Sequence, residues 1–159
     1  MGNQKKVGDK INVLYVDDEA TNLSAFKATF RRDFNVFIAE SAKEGKEILQ
    51  KNNIEIILTD QRMPEQTGVE FLQSILEEFP DPIRILVTGY SDMSAVKDAI
   101  NKGQVYKYIE KPWDNDFMKM IIEKSYEVYS LRKENQELTK SLLRANEQLE
   151  FMLRQKLIS

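Results

Sequence analysis

Residues 54–59 read Ile-Glu-Ile-Ile-Leu-Thr, and residues 83–88 read Ile-Arg-Ile-Leu-Val-Thr. Both are short runs of β-branched and aliphatic residues without the in–out alternation of a sheet that has one wet face. Strands of this kind are buried on both sides, as in a parallel sheet covered by helices above and below. Outward from these two runs, residues 11–16 (INVLYV), 34–39 and 105–109 read as three further strands. Helical spacing follows each strand, over 20–31, 41–52, 69–79 and 93–102, and again from Asp114 or Asn115. Ser41 with Glu44 is a capping-box signature, and Phe71, Leu72, Ile75 and Leu76 share one face of the third helix. Gly103 stops the fourth helix, and Pro112 closes the fifth strand. The alternation predicts an α/β chain with a five-stranded parallel, doubly wound sheet, because right-handed crossovers cover both faces with helices.

The chain has 159 residues, 42% hydrophobic and 31% charged, which suits one domain with a core plus a modest appendage. Lys and Arg number 23 against 26 Asp and Glu, a net charge of −3. That balance argues against nucleic acid or an anionic membrane as the main partner, since both reward a positive excess. There is no Cys, which removes disulfides, thiolate nucleophiles and thiolate metal sites. There is no His either, which removes histidine-based triads, histidine-ligated zinc and a phosphohistidine on this chain. The polar start, MGNQKKVGDK, lacks the apolar stretch of a signal peptide, and Lys6 stands where a myristoylation motif wants Ser or Thr. No apolar run approaches the roughly 20 residues of a membrane span. The expected location is the cytoplasm, with residues 1–9 flexible.

In an open sheet of this kind, ligands bind just beyond the carboxyl ends of the strands. Asp17, Asp18 and Glu19 follow the first strand, Asp60 the third, Thr88 stands at the end of the fourth, and Lys111 follows the fifth. Carboxylates gathered in one crevice raise one another's pKa unless a cation neutralises them. An all-oxygen set without His or Cys suits Mg²⁺. The plainer alternative for Asp17 or Asp18 taken singly is helix N-capping.

Four segments carry a resemblance: VLYVDDE (13–19), ILTDQRMP (57–64), ILVTGY (85–90) and YIEKPW (108–113). In this order and spacing they resemble the receiver (CheY-like) domain of bacterial two-component response regulators. The resemblance spans about residues 10–127. It implies that Asp60 is the phosphoacceptor and that Asp18, Asp60 and the Arg62 backbone carbonyl ligate Mg²⁺. Asp17 acts mostly through a metal-bound water, Lys111 pairs with one phosphoryl oxygen, and Thr88 hydrogen-bonds another. The same resemblance makes Thr88 and Tyr108 the switch pair, with the fourth helix, fifth strand and fifth helix as the output face. Lys111-Pro112 resembles the family's cis peptide, and Trp113 reads as core. Arg62 and Tyr90, two residues beyond Asp60 and Thr88, are expected to flank the phosphoryl group and obstruct a hydrolytic water. Because this chain has no His, the donor is a partner sensor histidine kinase. DQRMP, VTGYSD and YKYIEKPW also look like receivers tethered to signalling enzymes.

From Asn115 onward there is no Pro or Gly to stop a helix. A heptad frame puts Ile121, Val128, Asn135, Leu142 and Leu149 at a, and Leu131, Leu138, Ala145 and Met152 at d. Lys124 and Lys156 interrupt it. Asn135 at a favours a two-stranded parallel pair in fixed register, and Glu127 at g faces Arg132 at the partner's e. Residues 128–159 are therefore expected to form a homodimeric coiled coil continuous with the fifth helix. The closing LRQKLIS carries no capping signal, which suits a linker to an effector domain absent from this chain.

Taken together, these features predict a phosphoacceptor signalling protein, not an enzyme with a separate substrate. The alternatives are a phosphorylation-independent dimerisation scaffold and a Mg²⁺-dependent phosphohydrolase with Asp60 as nucleophile. Hydrolases of the haloacid-dehalogenase type carry an acid two residues past the nucleophile; here Arg62 stands there.

Overall fold

A computed structural model describes residues 9–89 and 93–158. The expected flexible N-terminus (but for Asp9) and Tyr90 lie outside the described residues. The elements run β1 (Asn12–Val16), α1 (Ala20–Phe30), β2 (Asn35–Ala39), α2 (Ala42–Lys51), β3 (Ile56–Asp60), α3 (Gly68–Ile75), β4 (Ile83–Thr88), α4 (Met93–Asn101), β5 (Lys107–Glu110) and α5 (Asn115–Ile158). The five strands form one parallel sheet in the order β2-β1-β3-β4-β5. The strand order reverses between β1 and β3, and that is where a crevice opens at the carboxyl edge of such a sheet.

Side chains alternate across each strand and so feed two cores. Val13, Tyr15, Ile56, Leu58, Ile85, Val87 and Ile109 pack under α1 and α5, with Leu23, Phe26, Phe30, Met118, Ile121 and Ile122. Leu14, Val16, Ile57 and Leu86 pack on the other face with Leu49, Phe71, Leu72, Ile75, Val96 and Ala99 of α2, α3 and α4. β3 and β4 are buried along their whole length, as their unalternating sequences require. Trp113 is half-buried against the first core, with its ring edge-on to Tyr15 at 6.3 Å.

The element ends show where local chemistry yields to tertiary contacts. Ser41 Oγ accepts the Glu44 N–H at 3.2 Å, but the Glu44 carboxylate reaches past the N-cap to the Glu40 N–H at 2.9 Å. The complete capping box lies on α3 instead, between Thr67 and Glu70. α3 stops at Ile75, four residues short of the expected end: the Leu76 N–H turns to Gln73 O at 3.4 Å, tightening the last turn, and the Phe79 N–H closes back on Ile75 O at 2.8 Å. β3 begins at Ile56 and extends to Asp60, which pairs with Val87. β5 begins at Lys107, two residues later than its apolar pattern suggests. Gly103 has φ +72° and closes α4 with bonds from its N–H to Ile100 O and from the Gln104 N–H to Ala99 O. That pairing is a Schellman stop.

Asp114 starts α5 by accepting the Asp116 and Phe117 N–H groups at 2.8 and 3.1 Å. The helix then runs 44 residues, about 66 Å at 1.5 Å per residue. Its first part is core: Ile121 is 4% exposed and Val128 is half-buried against the same cluster, so the first two a positions of the heptad serve this chain's own body. Tyr129 is buried, Lys133 Nζ lies 2.9 Å from Asp81, Gln136 donates to the same carboxylate, and Arg132 sits over the Tyr106 ring at 5.7 Å. Every residue from 134 to 158 is exposed.

Candidate functional site

The carboxyl ends of β1 and β3 bring three acids together. One ligand oxygen each from Asp17, Asp18 and Asp60 lie within 4.8 Å of one another. Each position follows from the local fold. Asp60 is the last ladder residue of β3, while Asp17 continues β1 by donating its N–H to Ala39 O at 3.1 Å. Asp18 stands next, exposed at the mouth. Asp18, Glu19, Asp60, Gln61, Arg62, Gly89 and Lys111 wall a cleft of about 380 Å³. Lys111 enters from the end of β5, its ammonium 3.3 Å from Asp60 Oδ1 and 3.4 Å from Asp17 Oδ2. Its backbone N–H donates to Thr88 O at 2.9 Å, which ties the ends of β4 and β5 together. The Lys111-Pro112 peptide is cis.

The capping alternative for the first two acids does not hold. α1 is preceded by Glu19 at the N-cap, with no side-chain cap bond. Asp17 is wholly buried and fully engaged. Its Oδ2 accepts from the Tyr15 hydroxyl at 2.8 Å, the Asn22 amide at 3.2 Å and Lys111, while Oδ1 accepts the Glu19 N–H at 2.9 Å. Those donors are what make a buried carboxylate tolerable. Burial and the adjacent Asp17 charge push the Tyr15 phenol far above its ordinary pKa, so it stays a donor. Neither Tyr15 nor Asn22 stood out as a site residue in the sequence. The signal was present in the strand period, because residues 15 and 17 share one face of β1.

Asp60 is driven the other way from a surface acid. Burial raises its pKa most; Lys111 pulls it down, and Asp17 pushes it up again. Net, the crevice disfavours the ionised form. An added cation relieves that directly, and three carboxylates with no His or Cys form an oxygen-only donor set of the kind hard divalent ions take. Gln61 locks the acceptor end of β3: its N–H donates to Val87 O, its carbonyl accepts the Gly68 N–H, and its side chain accepts the Val69 N–H at 2.9 Å. The loop between β3 and α3 turns through Glu65 at φ 70°, a backbone region L residues rarely use.

Thr88 is completely buried at the end of β4; its hydroxyl donates to Gly89 O at 3.0 Å and it does not wall the cleft. Arg62 is exposed at the cleft wall. Tyr108 is half-buried against the second core. It lines a separate groove of about 520 Å³ with Ile100, Tyr106, Trp113 and Phe117, on the side made by α4, β5 and α5.

A five-stranded parallel sheet with a carboxylate-and-lysine crevice at its switch point is the architecture of CheY-like signalling modules. The chain belongs to the response regulator receiver domain family, whose family model matches residues 13–123. It is 35% identical over 124 residues to the hydrogenase transcriptional regulatory protein HoxA of Bradyrhizobium diazoefficiens, covering 78% of this chain and 26% of that protein. It is also 35% identical over 147 residues to HoxA of Cupriavidus necator, covering 92% of this chain and 30% of the relative. The chain thus spans under a third of the curated relatives it matches. A crystal structure described as adenylate cyclase from Rhodopirellula baltica superposes with a TM-score of 0.79 at 30% identity, covering 82% of this chain and 98% of that one. Among the described residues, no helix is long and apolar enough to cross a membrane.

Proposed function

We propose that this chain is a phosphorylation switch in which Asp60 accepts a phosphoryl group from a phosphohistidine on a sensor kinase. The observation that carries this reading is Lys111, whose ammonium stands within 3.4 Å of both Asp17 and Asp60 in a cleft open to solvent. An Asp60 carboxylate oxygen attacks phosphorus in line, the bond from phosphorus to the donor nitrogen breaks, and the imidazole departs with the kinase. Asp18, Asp60 and the Arg62 carbonyl are the residues that would hold Mg²⁺, with Asp17 behind them. Bound there, the ion supplies charge neutralisation for the phosphoryl oxygens. Lys111 takes one phosphoryl oxygen as its partner in exchange for a carboxylate, and positioning with electrostatics does the remaining work. The Thr88 hydroxyl, now spent on Gly89 O, turns to another phosphoryl oxygen, and Tyr108 moves inward as the groove beside it changes shape. In this reading residues 10–127 are the receiver.

Residues 128–159 form the output arm, a homodimeric coiled coil in the cytoplasm through Leu131, Asn135, Leu138, Leu142, Leu149 and Met152. Val128 contributes from the edge, since it also touches the body. The two HoxA relatives are described as transcriptional regulatory proteins, and this chain covers only 26% and 30% of them, which supports an effector domain as the recipient of the signal.

Arg62 in place of an acid supports the acceptor reading over a phosphohydrolase, because no general acid stands two residues past Asp60. Incubation with acetyl phosphate and Mg²⁺ tests the proposal. One phosphate per chain is expected by intact-mass measurement, absent in Asp60→Asn and absent with chelator. A chain that never labels is a scaffold, and rapid multiple turnover of phosphate esters identifies a hydrolase.

A further inference from the structure

We infer that Tyr15 is a positioning residue for Lys111: its hydroxyl occupies Asp17, which leaves the ammonium free to move to a phosphoryl oxygen. This role rests on the acceptor reading above and adds to it what keeps the lysine available.

Asp17 is wholly buried, and three donors approach its Oδ2. The Tyr15 hydroxyl is nearest at 2.8 Å, the Asn22 amide follows at 3.2 Å, and the Lys111 ammonium is farthest at 3.4 Å. A carboxylate oxygen offers about two lone-pair sites. Two neutral groups therefore take those sites, and the cation comes third. On its other side Lys111 stands 3.3 Å from Asp60 Oδ1. Ammonium–carboxylate bonds usually close to about 2.7–2.9 Å, so both of its contacts are long. Lys111 is held by the charge of two acids and captured by neither.

The neutral donors stay when the lysine moves. The Tyr15 ring lies inside the first core, its centroid 4.7 Å from Phe26 and 6.3 Å from Trp113, and the side chain is wholly buried. Swinging its hydroxyl away from Asp17 would open that core. Asn22 stands in the first turn of α1, which fixes its reach. Lys111, by contrast, follows β5 with its side chain 29% exposed at the cleft wall. When it leaves for a phosphoryl oxygen, Asp17 keeps the hydroxyl, the amide and, on Oδ1, the Glu19 N–H at 2.9 Å. The move orphans no buried charge, and orphaning one is what would oppose it. Only hydrogen bonds change partners; no proton is transferred.

Without the hydroxyl the balance tips. Tyr15→Phe keeps the ring and its packing but empties the nearest site on Asp17 Oδ2. Lys111 then closes on that oxygen as a charged donor, and must be pulled off a buried carboxylate before it can meet phosphate.

The full chain is labelled with acetyl phosphate at saturating Mg²⁺. Mg²⁺ alone is titrated against the fluorescence of Trp113, the sole tryptophan, with the Mg²⁺-dependent rise in Tm as a second readout. Tyr15→Phe should label about tenfold more slowly, the scale of one hydrogen bond to a charged group, while its Mg²⁺ affinity does not weaken. A tyrosine that only fills space or only holds the acid cluster together gives another pattern. Unchanged labelling, or labelling and Mg²⁺ affinity falling together, overturns the role. If Tyr15→Phe folds poorly, Asn22→Ala decides, because Asn22 is half-buried and supplies the second neutral donor. Slower labelling with undiminished Mg²⁺ affinity is expected there, and labelling at the wild-type rate refutes the role. A wild-type chain that takes no phosphate overturns the acceptor reading itself; a wild-type chain that labels no faster than Tyr15→Phe overturns the role of Tyr15 alone.

Discussion

Gly68→Ala probes the acceptor site through its backbone. Gly68 opens α3, and a Cβ built on it would stand 2.4 Å from Asp60 O, 2.8 Å from Leu86 Cδ2 and 3.1 Å from Asp60 C. Leu86 can rotate, but the Asp60 carbonyl belongs to the β3 ladder and cannot. Overpacking of this kind costs about 1–3 kcal/mol. The helix-propensity gain of Ala over Gly, at most about 1 kcal/mol in a helix interior, is smaller in a first turn already held by the Thr67–Glu70 box. The expected net loss is about 2 kcal/mol, or a fall in Tm of about 4–8 °C for a chain of this size. Relief of the clash must displace Asp60 or α3 by most of an ångström, and misplacement on that scale slows a positioned reaction by on the order of tenfold or more. Two controls bracket the effect. At Gly45 the nearest atoms to a new Cβ are side-chain carbons of Val16 and Phe71 at 3.0 and 3.1 Å, which can give; at Gly89 nothing lies within 4 Å. Thermal melts should rank Gly68→Ala well below Gly45→Ala, with Gly89→Ala near wild type, and acetyl phosphate labelling should be slowest in Gly68→Ala. A Gly68→Ala protein with unchanged Tm and labelling rate would refute the claim that the start of α3 and the acceptor carbonyl are in fixed contact.

Three other outcomes are expected. The Asp60 pKa is raised in the folded protein, chiefly by burial, so its contribution to stability is present below its ordinary pKa of 3.8 and lost as pH rises through the shifted value. In chelator, Asp60→Asn should therefore melt above wild type at pH 7, with the gap closing on acidification; a lower melting point at pH 7 contradicts it. The Asp81 pKa is lowered, first by its bond to Lys133, so that contribution exists at neutral pH and fades as pH falls through the depressed value. Because the pair is 30–36% exposed, Asp81→Asn should cost under about 1 kcal/mol, less in high salt, by urea titration at pH 7. Arg62→Ala should shorten the phosphoryl lifetime in timed dephosphorylation; unchanged or slower loss rejects the idea that this side chain shields the acceptor.

Much of the fold was legible because its signals are local. The runs at 56–59 and 85–88 are apolar on both faces, Gly103 supplies a left-handed stop, and Asp114 supplies a cap, each a property of a few adjacent residues. Where expectation and structure part, a distant contact or a missed local signal intervenes. α3 ends early where the Leu76 N–H turns to Gln73 O, and Ile121 leaves the heptad seam because the sheet needs it as core. The acids at 17, 18 and 60 and the lysine at 111 were readable as strand-end residues, since the carboxyl ends of parallel strands share one edge.

The sequence by itself determined the alternation of strands and helices, the family resemblance, the absence of any histidine to donate phosphate, and an unbroken helix from Asn115. Tertiary structure alone decided how the crevice is wired. Tyr15 and Asn22 hold Asp17, Lys111 divides itself between two carboxylates, and Gly68 gives way to the Asp60 carbonyl. It also decided how far α5 stays on the body, through Lys133 and Gln136 on Asp81. Local pattern reports what each residue does within its own element. Partners up to 94 residues apart meet only when the sheet order 2-1-3-4-5 brings the strand ends together, and no window along the chain contains that distance.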